Sequence, residues 1–180
     1  MKLSILICHL NSRKVQFTNL YKKLSDQAKP YQGEIEILVD GDNGEKTIGR
    51  KRNDLLFRAA GDYTAYIDDD DDVSDDYIYS VMDALAQDPD VVGIEGILKT
   101  SKGGWAFKHS IEFQSWYTGS DAFYRTPNHL NPVRRIIACS VGFPEIGFGE
   151  DKIYSDAIRR QLKKEVYIDH PIYIYNKELC

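Results

Sequence analysis

The residues best placed to do chemistry in this chain are carboxylates. Asp68 to Asp72 form an unbroken acidic run, with Asp75 and Asp76 close behind. An apolar β-type stretch, Tyr63-Thr64-Ala65-Tyr66-Ile67, leads into the run, and a helical pattern follows it. That order places the cluster at the carboxyl end of a strand, where open α/β sheets bind ligands. Crowded like charge opposes folding unless something cationic offsets it. Hard oxygen donors suit Mg²⁺ or Mn²⁺, and such ions in turn hold phosphate oxygens. A charge run more often faces water, but this one joins a buried-looking strand to a helix, which favours metal binding.

Two specific alternatives can be tested against the letters. An EF-hand loop starting at Asp68 needs Gly at its sixth place and Glu at its twelfth. Val73 and Tyr79 stand there, so that reading fails. A phosphatase motif of the haloacid dehalogenase type matches Asp69, Asp71 and Val73 in spacing. Asp68 intervenes, however, and the motif lies far from the N-terminus for that family.

The elements that must position these carboxylates are legible as alternating periods. Leu3 to Cys8 is a continuous apolar run, as expected of a parallel strand buried on both faces. Phe17, Leu20, Tyr21 and Leu24 recur at helical spacing, and that helix ends before Lys29-Pro30. Glu34 to Asp40 predicts a second strand, with Gly41-Asp42-Asn43-Gly44 as a loop at its carboxyl end. Ile48, Arg52, Leu55, Leu56 and Ala59 share one helical stripe, with Gly61 as the expected C-cap. The strand carrying the acidic run comes next. Ser74 is the expected N-cap of a helix whose buried face is Ile78, Val81, Met82 and Leu85. Strand and helix thus alternate three times, the signature of a parallel, nucleotide-binding half-sheet. From Val91 the pattern becomes mixed. Val91 to Lys99 and Trp105 to Ile111 predict paired strands about a Gly103-Gly104 turn. An aromatic, loop-rich region follows, broken at 131–135 and 147–149. A helix over about 150–162 and a strand over 165–175, interrupted by Pro171, close the pattern. The fold class is therefore α/β, a single domain over 1–180. About 1–90 forms one half, and about 91–180 the other.

Composition narrows the function. With 180 residues the chain suits one domain with a sizeable core. Removing the seven Asp between positions 68 and 76 turns the net charge of −5 into +2, so the acidity is local. The charge balance suggests neither nucleic-acid nor membrane affinity. Cys8, Cys139 and Cys180 show no zinc or disulfide spacing, which points to a reducing, cytoplasmic setting. The apolar opening is too short for a signal peptide, and no stretch has transmembrane length.

With the pieces in place, the chain resembles the GT-A glycosyltransferases of family 2. The strand Leu3 to Cys8 and the following helix match the family's opening, although Cys8-His9-Leu10-Asn11 replaces its usual Pro-x-Tyr-Asn. Val39-Asp40-Gly41-Asp42-Asn43-Gly44 stands for Val-Asp-Asp-Gly-Ser. Gly49-Arg50-Lys51-Arg52-Asn53 matches Gly-x-x-x-Arg-Asn with one residue fewer, and Asp68-Asp69-Asp70-Asp71 matches Asp-x-Asp-Asp. Phe143-Pro144-Glu145 and Gly149-Glu150-Asp151 complete the order. The resemblance implies a metal-dependent, inverting enzyme. It would move a sugar from a nucleoside diphosphate sugar, usually a UDP-sugar, to a hydroxyl of a glycan or glycoconjugate, as in polysaccharide biosynthesis. It places Asp70 on Mn²⁺ or Mg²⁺, Asp68 near the metal or ribose, and Asp69 beside them. Asp40 or Asp42 would read the base, and Arg52, with Asn53 after it, would approach base or diphosphate. Asp151 would be the general base, with Glu150 as second choice. A C-terminal histidine completes the metal shell in some GT-A enzymes, which makes His170, or else His129, a candidate ligand. His9 is a candidate for contact with the base. Arg134 and Arg135 are candidates for diphosphate or acceptor, whereas Arg50 and Lys51 look solvated. Trp105, Trp116 and Tyr117 are candidates to stack on an acceptor sugar. A homodimer is one way to supply further acceptor contacts. Two other functions stay open: a sugar nucleotidyltransferase, and a non-catalytic module that binds metal and nucleotide sugar. The first normally grips its triphosphate with a Gly-rich loop, and Cys8 to Lys14 has no glycine.

Overall fold

Alternate residues of the first strand enter different cores. The computed structural model describes residues 1–101 and 103–177, so Cys180 lies outside the described residues. Along β1 (Leu3–Leu10), Leu3, Ile5 and Ile7 pack into one apolar cluster, while Leu6 and Cys8 pack into a second. β3 (Tyr63–Tyr66) divides in the same way, Tyr63 and Ala65 against Tyr66. Period-two alternation with both faces apolar requires cover on both sides of the sheet.

Helices supply that cover. α1 (Lys14–Ala28) contributes Leu20 and Leu24 to the first cluster, and α3 (Tyr77–Leu85) contributes Tyr77, Ile78, Val81 and Leu85. α2 (Ile48–Arg58), α4 (Arg135–Val141) and α5 (Glu150–Arg159) face the second, through Leu55, Leu56, Ala138, Tyr154 and Ile158.

The remaining strands are β2 (Ile35–Asp42), β4 (Asp72–Val73), β5 (Val91–Thr100), β6 (Gly103–His109), β7 (Tyr117–Thr118), β8 (Ala122–Arg125), β9 (Val133–Arg134) and β10 (Glu165–Asn176). The sheet order is β2-β1-β3-β9-β5-β6-β8-β7, with β10 pairing β5 and β4. β1 is parallel to both β2 and β3, β10 to β5, and β6 to β8. Short β9 runs antiparallel between β3 and β5 and joins the two halves. This is the expected α/β architecture, parallel at its centre and mixed beyond β3.

Several boundaries differ from the sequence reading for identifiable reasons. β2 continues through Gly41 and Asp42, because β1 offers partners as far as Leu10. Helix α5 stops at Arg159, short of the expected end at 162. Helix α4 falls in the region that reads as loop-rich, between its breaks at 131–135 and 147–149. Ser74 is not a cap: its amide bonds Ile172 O at 3.0 Å, extending the β4–β10 pair, and Asp76 occupies the N-cap position of α3. Gly61 is not a C-cap either, because α2 ends on Ala59 in an extended conformation. Glycine is needed at 61 for a close approach. A Cβ there would lie 2.6 Å from Ser4 N and 2.8 Å from Leu3 C, both on the backbone of β1. Pro171 is accommodated in β10 at register shifts between Tyr167, Pro171 and Tyr173.

Gly61→Ala therefore forces β1 away from the entry to β3. Overpacking of this kind costs about 1–3 kcal/mol, each kcal/mol lowering Tm by about 2–4 °C at this size. Thermal unfolding followed by circular dichroism checks it, and an unchanged melt would show that the strand entry relaxes freely.

Candidate functional site

The acidic run does not form a solvated loop. It makes a tight turn, with the Asp71 amide donating to Asp68 O at 3.1 Å, and the turn splays its carboxylates toward different partners. Asp68 lies 3.3 Å from Arg52 Nη2 and 3.4 Å from His129 Nε2. Burial alone would raise its pKa, but His129 and Arg52 outweigh burial and hold it well below the usual carboxylate range. Asp69 accepts from the Leu10 amide at 2.7 Å, lies 2.9 Å from His9 Nδ1 and is bound by Arg13. Asp70 lies 3.0 Å from Arg13 Nη1, and burial raises its pKa. Asp71 accepts from Tyr173 Oη at 2.7 Å and the Asn176 amide at 2.8 Å. Burial, with Asp68 nearby, pushes it up to about 8.

Asp68, Asp69 and Asp70 line a cavity of about 940 Å³. Its wall includes the ends of β1, α2 and β3 on one side, and Phe107, His109, Phe123 and Arg125 of β6 and β8 on the other. Glu150 and Asp151 border it from the first turn of α5. The Gly147-Phe148-Gly149 loop leads into that helix. Gly149 holds φ +83°, and the Phe148 side chain is 94% exposed at the cavity.

The two carboxylates that open α5 have different surroundings. Glu150 is buried, and its Oε1 lies 2.8 Å from Arg52 Nη1. Asp151 is partly open to the cavity, with Oδ1 accepting from the Lys152 amide. Arg52 thereby links Asp68 at the end of β3 to Glu150 at the start of α5, and it packs against the rings of Tyr66 and Phe143.

The structure thus brings together Arg52, Asp68, Asp69, Asp70, Glu150, Asp151 and His129. It does not bring the others to the cavity wall. His9 turns its Nδ1 to Asp69 and stacks on Phe17 at 4.1 Å, so its ring is engaged inside the fold. Asp40 bonds Lys46 at 2.8 Å, and Asp42 pairs with Lys51 and accepts from the Gly44 and Lys46 amides. Asn53 exchanges hydrogen bonds with the Phe143 backbone, 2.7 Å to O and 2.8 Å from N, and anchors that loop to α2. His170 lies 3.0 Å from Asp76 at the N-terminus of α3, outside the cavity. Arg134 binds Asp88 and Pro89 O and lies over Tyr63, while Arg135 donates to Gly61 O. Lys51, which does border the cavity, is not solvated: it is buried and donates to His9 O at 2.7 Å. Trp105, Trp116 and Tyr117 do not line the cavity.

Sequence reasoning missed Arg13, His109, Arg125 and Tyr175 as wall residues. Each belongs to the site through strand pairing or loop closure, with no local motif to announce it. Cys8 also borders the cavity, but burial pushes its thiol up to about 12, which removes it as a nucleophile at neutral pH.

A divalent ion can be tested against this donor set. Among the described residues, no group of three or more His, Cys, Asp or Glu side chains is arranged to hold a metal by itself. Mg²⁺-type sites use one or two carboxylates and complete the shell with water and substrate phosphate. Asp68 and Asp70, both facing the cavity, fit that kind of open site.

His109 gives the site a pH signature. Its Nδ1 lies 3.0 Å from Asn131 Oδ1, and Asn131 Nδ2 donates to Val92 O, which orients the amide and makes Nδ1 the protonated nitrogen. Burial, reinforced by the Arg125 charge, lowers the His109 pKa from 6.5 to about 3. The unfolded chain takes up this proton first, so stability falls as pH drops below 6.5 toward 3. His109→Asn preserves the donor to Asn131 and removes the titration. Its loss of stability in acid should be shallower than the native protein's by up to about 1.4 kcal/mol per pH unit. Urea unfolding at stepped pH measures this, and equal slopes would refute it.

The comparisons with known proteins bear on the fold and the family. No curated protein matches the chain in sequence. Among solved structures, that of S. aureus TarS 1-349 in complex with UDP superposes with a TM-score of 0.77 at 18% identity. The match covers 98% of this chain and 60% of that one. TarS 1-349 in complex with UDP-GlcNAc gives 0.72 at 16% identity, covering 98% and 58%. The larger S. aureus TarS structure gives 0.75 at 17% identity, covering 98% and 37%. The chain therefore spans no more than about three-fifths of these structures, and the likeness establishes the fold. The family model for glycosyl transferase family 2 matches residues 19–144, which takes in α1 from Asn19 onward, the Arg52-Asn53 segment, the acidic run and Phe143. On that match and this architecture, the chain belongs to glycosyl transferase family 2.

Proposed function

We propose that the chain transfers a sugar from a UDP-sugar to a hydroxyl of a glycan or glycoconjugate, with inversion at the anomeric carbon and in dependence on a divalent ion. One observation carries the reading: the Asp68/Asp70 carboxylates and the Asp151 carboxylate border the same cavity from separate elements. The capture of UDP and UDP-GlcNAc by S. aureus TarS structures of the same fold supports the choice of donor. In this reading residues of about 1–90 hold the donor and those of about 91–180 hold the acceptor and the base.

Asp68 and Asp70 would hold Mn²⁺ or Mg²⁺, which when bound supplies positive charge to the diphosphate leaving group. His170 takes no part, because it is engaged at α3. Arg13 exchanges its contact with Asp70 for the incoming diphosphate while Asp69 retains it. Arg52 keeps Asp68 ionised and fixes its rotamer. Asp151 accepts the proton of the acceptor hydroxyl as that oxygen bonds the anomeric carbon. The carbon–oxygen bond to the β-phosphate breaks, and its electron pair leaves with UDP. Attack opposite the leaving group requires only this one displacement, hence inversion. Glu150, neutralised by Arg52, is a positioning residue for the first turn of α5.

Calorimetric titration of UDP with and without Mn²⁺ tests the donor site. The native chain should bind UDP in a metal-dependent manner, and Asp70→Ala should abolish that dependence. Failure of UDP and other nucleoside diphosphates to bind would overturn the reading. In turnover assays with a UDP-sugar, Asp151→Asn should lower kcat by about 10²–10⁴-fold with little change in UDP affinity. Glu150→Gln should act on stability more than on the chemical step. Equal kcat for Asp151→Asn and the native chain would remove Asp151 as the base.

A further inference from the structure

Among the described residues, Arg125 is the half-buried cation of the cavity wall that has no counterion. It ends β8, opposite His109 of β6, and it lines the same cavity as Asp151. Its guanidinium carbon lies 4.5 Å from the centre of the Trp116 ring. Trp116 is itself pinned, with Nε1 donating to Thr126 Oγ1 at 3.0 Å and lying 3.3 Å from Ser155 Oγ. Among the described residues, no side chain forms an ion pair with Arg125, and its guanidinium has no hydrogen-bond acceptor there. Four other cations near the site are matched: Arg52 by Asp68 and Glu150, Arg13 by Asp69 and Asp70, Lys51 by Asp42, and Lys152 by Asp156.

Burial lowers the Arg125 pKa, with Asp151 and Tyr175 the groups whose charge acts to raise it. Asp151 is nevertheless more than an ion-pair distance away, so the two groups border the cavity without neutralising each other. A half-buried guanidinium braced on an aromatic ring, with its N–H groups unspent, is pre-organised for a planar or tetrahedral anion. The donor diphosphate is expected at the acidic turn of β3, whereas Arg125 stands on the β6–β8 side.

We propose that Arg125 is the anion-recognition point of the acceptor subsite, so that the acceptor carries a phosphate or carboxylate close to the hydroxyl that receives the sugar. This rests on the transferase reading above. With the anion on Arg125, the neighbouring hydroxyl is brought to Asp151 across the remaining gap. Arg125 then selects acceptors by charge and sets the KM for the acceptor more than the affinity for UDP. Lys177, exposed at the same cavity, adds a second positive charge on that side.

The test uses the native chain saturated with UDP and Mn²⁺, titrated with matched probes: glycerol against glycerol phosphate, and glucose against glucuronate. Arg125→Met keeps apolar contact with Trp116, and Arg125→Lys keeps the charge. The expected result is millimolar binding of an anionic probe but not its neutral partner. That binding should weaken about tenfold or more in Arg125→Met, equivalent to about 1.4 kcal/mol, and be partly restored in Arg125→Lys. UDP affinity and the melting temperature should change little. Preference for glycerol phosphate identifies a phosphate-bearing acceptor, and preference for glucuronate a carboxylate-bearing one. Equal binding of neutral and anionic probes, no binding of either anion at millimolar concentration, or unchanged binding in Arg125→Met overturns the proposal. So does a tenfold loss of UDP affinity in Arg125→Met, which would assign the guanidinium to the donor. Failure of the donor reading is separately visible, because native UDP binding is measured before any probe is added.

Discussion

The buried Arg52 guanidinium is the constraint on which the site depends. It sits on α2, reaches Asp68 after β3 with one nitrogen and Glu150 at the start of α5 with another, and is sandwiched against two aromatic rings. A charge so placed is tolerated only while both partners stay in position, since an uncompensated buried ion costs several kcal/mol. The pairing therefore does more than neutralise charge. It joins a strand end, a helix interior and a helix start that are distant in sequence, and it ties the acidic turn to the first turn of α5, which carries Asp151.

The acidic run illustrates how the fold handles repulsion without dispersing it. Asp68 is ionised against His129 and Arg52, Asp69 is bound to a backbone amide and Arg13, and Asp71 retains a proton because burial and Asp68 both oppose its charge. Asp72 is answered by Lys23 of α1. Neighbours in sequence thus differ in protonation and in role. The formal charge of the run overstates the charge presented to a ligand, and the surplus is absorbed by residues spread from Arg13 to Asn176.

The sequence made the alternation of strand and helix legible because both sheet faces are apolar at β1 and β3, which produces continuous apolar runs. The acidic turn and the Glu150-Asp151 helix start were legible for a similar reason, since charge beside a buried strand or at a helix terminus is locally conspicuous. Asp40, Asp42 and Asn53 stand in motif positions, yet here their side chains are engaged in tying loops to α2, which no local pattern distinguishes from ligand contact. His170 looked available because its loop is polar, but Asp76 lies beside it only after β10 crosses α3. Lys51 reads as solvated from its neighbours Arg50 and Arg52, although the helix turns it under His9 O. Arg125 and His109 were invisible because they meet through β6–β8 pairing across an aromatic loop. What depends on register, rather than on period or local charge, could not be read in advance.

The placement of β10 bears on the order in which the molecule is assembled. Tyr173 and Asn176, near the end of the described chain, provide both hydrogen bonds to Asp71, and the same strand pairs with β4 immediately beyond the acidic turn. During synthesis, more than ninety residues therefore emerge between the acidic turn and the strand that completes it. Until that strand docks, the half-sheet of β2, β1 and β3 carries its cluster of negative charge unfinished. The two halves are thus joined in time as well as in space: the acidic turn is complete only when β10 closes it.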